Sequence, residues 1–176
     1  MAEIKSTLDI IMEKAKKFSV TEEDKQSFKR RELEGKTKGL VQKTLDGVFD
    51  SKRFQAELAG LQTKDKDMVD RILKEELVAR LEVEANSEAL LEMLDHVAGP
   101  ASAAIRKTMA NFEKKAEKEK ESRRKALLDG FKKKGISGSA VLPNLDADPD
   151  WLRTRSGLKR GLQEDIKERL KSLPSS

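Results

Sequence analysis

The chain contains 176 residues, of which 36% are hydrophobic and 39% are charged, and its formal net charge is +5. The charged fraction is well above the ~25% of an ordinary globular domain, and a richness in Ala, Leu, Glu, Lys and Arg is typical of long helices and coiled coils. With no cysteine and one histidine, a single chain has no disulfide, no thiolate metal ligand and no multi-histidine metal site. So few apolar residues also disfavour a large β-sheet domain.

Apolar residues near the amino terminus recur at helical spacing. They are Ile4, Leu8, Ile11, Met12, Ala15 and Phe18. Steps of three and four residues place them on one face of a helix over 4–18. This stripe predicts a helix that docks on a core or on a partner, with a membrane-surface helix as the alternative. The partner-binding residues that we predict are Leu8, Ile11, Met12 and Phe18.

Residues 1–62 are predicted to form a group of N-terminal helices. Thr21, followed by three acidic residues, is typical of a helix N-cap. Segment 22–38 has few apolar residues, which leaves open whether it is a rigid helix or partly disordered. After a tighter apolar stripe and a second cap at Asp50, the last helix of this group should end near Thr63.

The stretch 63–135 is predicted to form a long antiparallel helical hairpin that resembles a coiled coil. Gly99-Pro100 divides it into two helical patterns of 35 residues each, 64–98 and 100–134. Glycine permits a chain reversal, and proline suits the first position of a helix. We therefore place the turn of the hairpin at this dipeptide.

The two arms of this hairpin carry complementary residues. Folding the chain at the turn sets Leu94 opposite Ile105, and Ile72 opposite Leu127. The first arm holds five basic and ten acidic side chains, whereas the second holds twelve basic and five acidic ones. Opposite charges favour antiparallel pairing, although each exposed ion pair contributes only about a few tenths of a kcal/mol.

Segment 113–125 is the most highly charged part of the second arm, with eleven charged residues in thirteen. It can bury little apolar surface, and the sequence leaves open whether it is a solvated helix or partly disordered. Its charge would leave Leu77, Val78 and Leu81 of the first arm poorly covered. The helix over 4–18 should therefore dock either on that patch or on another chain.

The C-terminal part is predicted to contain a loop over 136–148 and a helix within 149–176. Three lysines before Gly135 are typical of a helix C-terminus with glycine in the left-handed conformation. The Asp-Pro-Asp sequence at 148–150 suits a cap, a first-turn proline and an acidic first turn. Trp151 should be a buried anchor.

Short motifs for catalysis are weak in this sequence. The Gly-Lys-Thr at 35–37 matches only the end of a phosphate-binding loop, with no apolar strand before it. The Gly-Ile-Ser-Gly at 135–138 matches the GxxG loop of a nucleic-acid-binding module, but no strands surround it. His96 has no candidate nucleophile beside it. We assign no catalytic, cofactor-binding or metal-binding residue and predict that the protein is not an enzyme.

The sequence thus predicts an all-α protein with shorter N- and C-terminal helices packed on the long helical hairpin. The predicted function is non-enzymatic protein–protein interaction, as a scaffold or helper, with a protein partner or a second copy of the chain and no cofactor. The absence of a signal peptide and of a long apolar run predicts a cytoplasmic protein without a membrane span.

A second functional hypothesis is contact with nucleic acid. Residues 99–176 hold 19 basic and 11 acidic side chains, and cations placed this way can bind a phosphate backbone. In this hypothesis the contact lies in the basic 100–171 region. The contacting residues would be Arg123, Arg124, Lys132, Lys133 and Lys134.

Overall fold

A computed structural model of the chain describes residues 21–172. In chain order the α-helices of this part are α1 (Glu22–Leu45), α2 (Ser51–Arg80), α3 (Glu88–Ala98), α4 (Ser102–Lys133) and α5 (Pro149–Lys171). Two short 3-10 helices are also present, and no strand occurs among the described residues. The prediction of an all-α fold is therefore confirmed for this part of the chain.

Side-chain caps start the helices at the positions that the sequence predicts. The Thr21 hydroxyl accepts the backbone N–H of Asp24 at 3.0 Å, and the Asp24 carboxylate accepts the backbone N–H of Thr21, which is a capping box. The Asp50 carboxylate caps α2 by accepting the backbone N–H of Arg53 at 2.8 Å. Segments 22–38 and 113–125, whose state the sequence left open, are both helical.

α2 turns back on itself at Asp65, where φ is −170° and ψ is 88°. The Gln62 side chain donates to the Asp70 carboxylate at 2.6 Å. Residues eight apart in a straight helix are separated by about 12 Å, so the two halves of α2 lie side by side. The Asp65 carboxylate accepts the backbone N–H of Met68 and caps the second half. The predicted helix end near Thr63 is therefore confirmed.

α1 packs along both halves of α2. Lys29, near the start of α1, contacts Asp65 at 3.3 Å, and Gln42, near its end, accepts a hydrogen bond from Arg80 at 2.8 Å. The half of α2 before Asp65 consequently runs antiparallel to α1, and the half after it runs parallel to α1. The larger buried side chains of these three helical segments are Leu33, Leu40, Val41, Phe54, Leu58, Val69, Leu73 and Leu77.

The predicted first arm of the long hairpin is broken, because α2 ends before residues 81–87. The Asn86 side chain accepts the backbone N–H of Glu82 at 2.9 Å and donates to its carbonyl at 2.7 Å. Such side-chain bonds to the backbone compete with helix formation. Leu81 and Val83 are buried, so this non-helical segment is part of the core.

The chain reversal at Gly99-Pro100 is observed, but it involves only the short α3. Gly99 adopts φ +50°, a conformation that favours glycine. The Arg106 guanidinium donates to the Asp95 carboxylate across the turn, at 2.9 Å from its Nε. Contact between the two arms continues as far as Glu84, whose carboxylate accepts from Lys120 of α4 at 2.8 Å.

α4 packs along α5, so the long pairing of 64–98 with 100–134 is not confirmed. Arg123 of α4 contacts Asp148 at the start of α5 at 2.7 Å. A Cβ atom on Gly161, in the middle of α5, would lie 3.2 Å from the ring of Phe112. These contacts show that α4 and α5 are antiparallel. Trp151 is buried with 2% exposure, which confirms its predicted role as an anchor.

The far end of α5 lies against α2. The Lys74 side chain donates to the Leu170 carbonyl at 3.4 Å. Ile72 is therefore near one end of α5 and Leu127 beyond the other, about 30 Å away at ~1.5 Å per residue. These two residues do not pair, because α2 and α4 pack against opposite ends of α5.

Candidate interaction surfaces

The stripe that the sequence identifies as partner-binding lies outside the described residues. This applies to Leu8, Ile11, Met12 and Phe18. The described chain that follows is exposed over residues 21–32, and the ring of Phe28 is 62% exposed. The first turns of α1 are therefore not buried against any other part of the described chain.

The apolar patch that the sequence suggested as an internal docking site is already covered. Leu77 and Leu81 are fully buried, and Val78 is 6% exposed. α5 lies over this patch, because the Gln163 side chain donates to the carbonyls of Ala79 and Leu81 at 3.2 and 3.3 Å. The expectation of a poorly covered patch is therefore wrong. It assumed that α4, not α5, packs on this face.

The end of the α4–α5 pair is a second surface, and it contains four of the five basic residues that the sequence suggested as contacts with nucleic acid. Arg123 lies beside the start of α5, so the last ten residues of α4 extend about 15 Å beyond it. The loop that follows returns the chain to Asp148. We call residues 124–147 the α4–α5 end.

A glycine cap shapes this end. Gly135 adopts φ +79°, and the backbone N–H of Ile136 donates to the Phe131 carbonyl at 3.0 Å. This geometry is the helix C-cap that the three lysines and Gly135 predict. It brings Ile136 back beside the last turns of α4.

Two large aliphatic side chains of the α4–α5 end face solvent. Leu142 is 85% exposed and Ile136 is 52% exposed. Leu127, Leu128 and Phe131 on the last turns of α4 are half-buried. Exposed apolar groups that cluster on one projecting element often mark an interaction site. Their exposure depends on where the loop folds, so no sequence pattern reveals it.

Arg123, the first of the basic residues proposed to contact nucleic acid, is held within the fold. Its guanidinium contacts Asp148 at 2.7 Å and Asp150 at 2.8 Å. The hydrogen bond from Arg123 is the main reason that the pKa of Asp148 lies below its ordinary value. Arg123 therefore joins α4 to the start of α5, and its guanidinium already has two carboxylate partners.

The other four basic candidates differ in how freely they face solvent. Arg124 pairs with a glutamate one turn earlier at 2.9 Å, and Lys132 pairs with an aspartate one turn earlier at 3.7 Å. Lys133 and Lys134 are exposed, and neither has a carboxylate partner among the described residues. Lys132, Lys133 and Lys134, which are consecutive in the sequence, are thus all exposed on the α4–α5 end.

Two shallow grooves are also present. One of ≈ 290 Å³ lies between α2 and α5, beside Glu75 and Lys167. The other, of ≈ 280 Å³, lies beside Val83, Leu91 and Met109. Within residues 21–172 no group of three His, Asp or Glu side chains is arranged to hold a metal ion.

The chain has no match among protein-family models, curated proteins or solved structures. None of the helices described above is both long enough and apolar enough to cross a membrane. The function of the protein is therefore inferred from its surfaces.

Proposed function

We propose that this protein is a non-enzymatic interaction protein, a scaffold or helper of the cytoplasm, which binds a protein partner or a second copy of itself. The binding surface is the N-terminal stripe of Leu8, Ile11, Met12 and Phe18. The observation that carries the proposal is that α5 already packs on the end of α2, where Gln163 donates to the carbonyls of Ala79 and Leu81. A surface that α5 covers is less available to the stripe, which supports docking on another chain.

Burial of the stripe against a partner would stabilise the complex. Transfer of one large apolar side chain out of water stabilises a complex by roughly 1.5–3 kcal/mol. Residues 21–32, which adjoin the stripe in sequence, are all exposed. They therefore do not form an apolar core on which the stripe could pack. Another chain is the simplest source of such a surface.

Nucleic-acid binding is the second candidate function, supported by the exposed Lys133 and Lys134. It is the weaker candidate, because Arg123, Arg124 and Lys132 already contact carboxylates. Aromatic residues make up only 4% of the chain, which leaves few rings on which bases of a single strand can stack.

The test of the protein-binding role is the double variant Leu8→Asp with Ile11→Asp. We expect it to keep its melting temperature and to lose its oligomeric mass in light scattering or its partner in a pull-down. The matched control is Ser6→Asp with Ile10→Asp, which adds the same charge. At about 100° per residue, both control positions would lie on the opposite face of the predicted helix, so the control should keep its associations.

Other outcomes would contradict the proposal. A double variant that melts early, while the control does not, would show that the stripe belongs to the core of the protein itself. A variant that keeps both its stability and its associations would show that the stripe binds nothing. A pull-down whose partners disappear after nuclease treatment would favour the nucleic-acid role.

A further inference from the structure

We propose that the α4–α5 end, which carries both exposed aliphatic side chains and three consecutive lysines, is a second interaction surface and binds an anionic lipid bilayer. Its residues are different from those of the N-terminal stripe. Residues from the last turns of α4 and from the following loop form it together.

Charge is the first reason. Residues 124–147 hold five basic side chains and two acidic ones. Three of the basic residues, Lys132, Lys133 and Lys134, are consecutive and exposed. Clusters of this kind are attracted to the negative surface potential of membranes that contain anionic lipids. Each lysine close to such a surface strengthens binding by about fivefold.

The exposed aliphatic side chains are the second reason. Leu142 and Ile136 are 85% and 52% exposed, and both belong to the loop that follows the lysines. At a bilayer surface such groups enter the boundary between headgroups and acyl chains, about 5–10 Å deep, while neighbouring lysines remain at the headgroups. The same end of the molecule thus supplies both kinds of contact.

The combination of cations and aliphatic side chains on one projecting end suits a bilayer, whose headgroups carry negative charge above an apolar interior. A projecting end needs no groove to meet a planar, fluid surface. Arg123 and Asp148 hold its base in place, so little ordering is required on binding.

The test is co-sedimentation of the full chain with lipid vesicles. Vesicles of phosphatidylcholine with about 30% phosphatidylserine should bind the protein, and pure phosphatidylcholine vesicles should bind it at least tenfold more weakly. Binding should weaken at about 0.5 M salt, where the Debye length falls to about 4 Å and the attraction between lysines and anionic headgroups is strongly screened.

Two variants and two matched controls assign the surface. Lys133→Glu with Lys134→Glu, and Ile136→Ser with Leu142→Ser, should each reduce binding by about tenfold or more. The charge control is Lys114→Glu with Lys118→Glu, in the exposed middle of α4. The apolar control is Phe28→Ser with Val48→Ser, whose side chains are 62% and 63% exposed. Both controls should bind like the parent chain. All substituted side chains are exposed, so melting temperatures should stay close to that of the parent.

Three results would overturn the proposal. The first is equal binding to the two kinds of vesicle, or none to either. The second is binding that survives both variants of the α4–α5 end but is lost in Leu8→Asp with Ile11→Asp, which would assign it to the N-terminal stripe. The third concerns the variant in which Ile136 and Leu142 are replaced. If this variant still binds vesicles but no longer binds a soluble protein, the surface is a protein-binding one.

Discussion

Arg123 of α4 and Asp148 of the loop before α5 form a two-pronged ion pair. The Nε and Nη2 atoms of Arg123 donate to the two carboxylate oxygens at 2.8 and 2.7 Å. The same carboxylate accepts the backbone N–H of Trp151 at 2.8 Å, so it caps α5 and fastens it to α4. Bidentate geometry of this kind is stronger and more specific than an ordinary surface ion pair. It sets the register of α4 against α5.

The pH dependence of stability should show this contact. Hydrogen bonding from Arg123 lowers the pKa of Asp148 below its ordinary 3.8. A carboxylate with a lowered pKa in the folded state binds fewer protons there than in the unfolded chain. It therefore stabilises the fold above pH ~4, and this contribution is lost as the pH falls through the lowered pKa.

Asp148→Asn tests this sign, because asparagine keeps the capping oxygen but not the charge. At pH 7 the variant should melt roughly 2–4 °C below the parent, and this difference in melting temperature should narrow as the pH falls below the ordinary carboxyl pKa of 3.8. Thermal melts by circular dichroism at both pH values give the comparison. If the difference in melting temperature is the same at both pH values, the charge of Asp148 contributes nothing to the stability of the fold.

Ala85→Gly should stabilise the protein, although glycine usually weakens ordered structure. Ala85 adopts φ +55° in the segment between α2 and α3. This left-handed conformation costs an alanine about 1 kcal/mol or more, whereas glycine adopts it freely. We expect the free energy of unfolding in urea to rise by about 0.5–1 kcal/mol. The control Ala126→Gly, at an exposed position inside α4, should lower it by a similar amount. If both variants lower it, residue 85 is not left-handed.

Two glycines of α5 should respond differently to alanine. A Cβ atom on Gly157 would meet open space, so Gly157→Ala should raise the free energy of unfolding by about 0.5–1 kcal/mol. A Cβ atom on Gly161 would lie 3.2 Å from the Phe112 ring, so Gly161→Ala should gain less or be destabilising. Chemical denaturation of both variants tests the order. Equal gains would argue against close packing of α4 on α5.

Crosslinking tests which segments are neighbours. The chain contains no cysteine, so introduced pairs carry the only thiols. Glu82→Cys with Lys159→Cys should link within one chain by a short bismaleimide, because these residues form an ion pair. Ile72→Cys with Leu127→Cys should not link, since α5 separates them. The reverse pattern on a denaturing gel would restore the long hairpin that the sequence predicts.

The sequence by itself determined the helical class and many helix ends, because caps and periodicity are local. The caps at Thr21, Asp50 and Asp148 and the glycine turn at Gly135 each depend on residues within a few positions. The sequence also singled out the stripe over 4–18, and it raised Lys132, Lys133 and Lys134 as basic candidates for another partner.

Only the tertiary structure decided which helix covers which. Periodicity identifies an apolar face but not the face that it meets, so the sequence paired α4 with 64–98 and left Leu77, Val78 and Leu81 open. The break over 81–87 was missed for a related reason. Its buried Leu81 and Val83 resemble helical positions, while the bonds from Asn86 that stop the helix form only in the folded segment. The exposure of Ile136 and Leu142 likewise depends on the tertiary structure. The last ten residues of α4 extend beyond the start of α5, and side chains beyond that point have no helix to cover them.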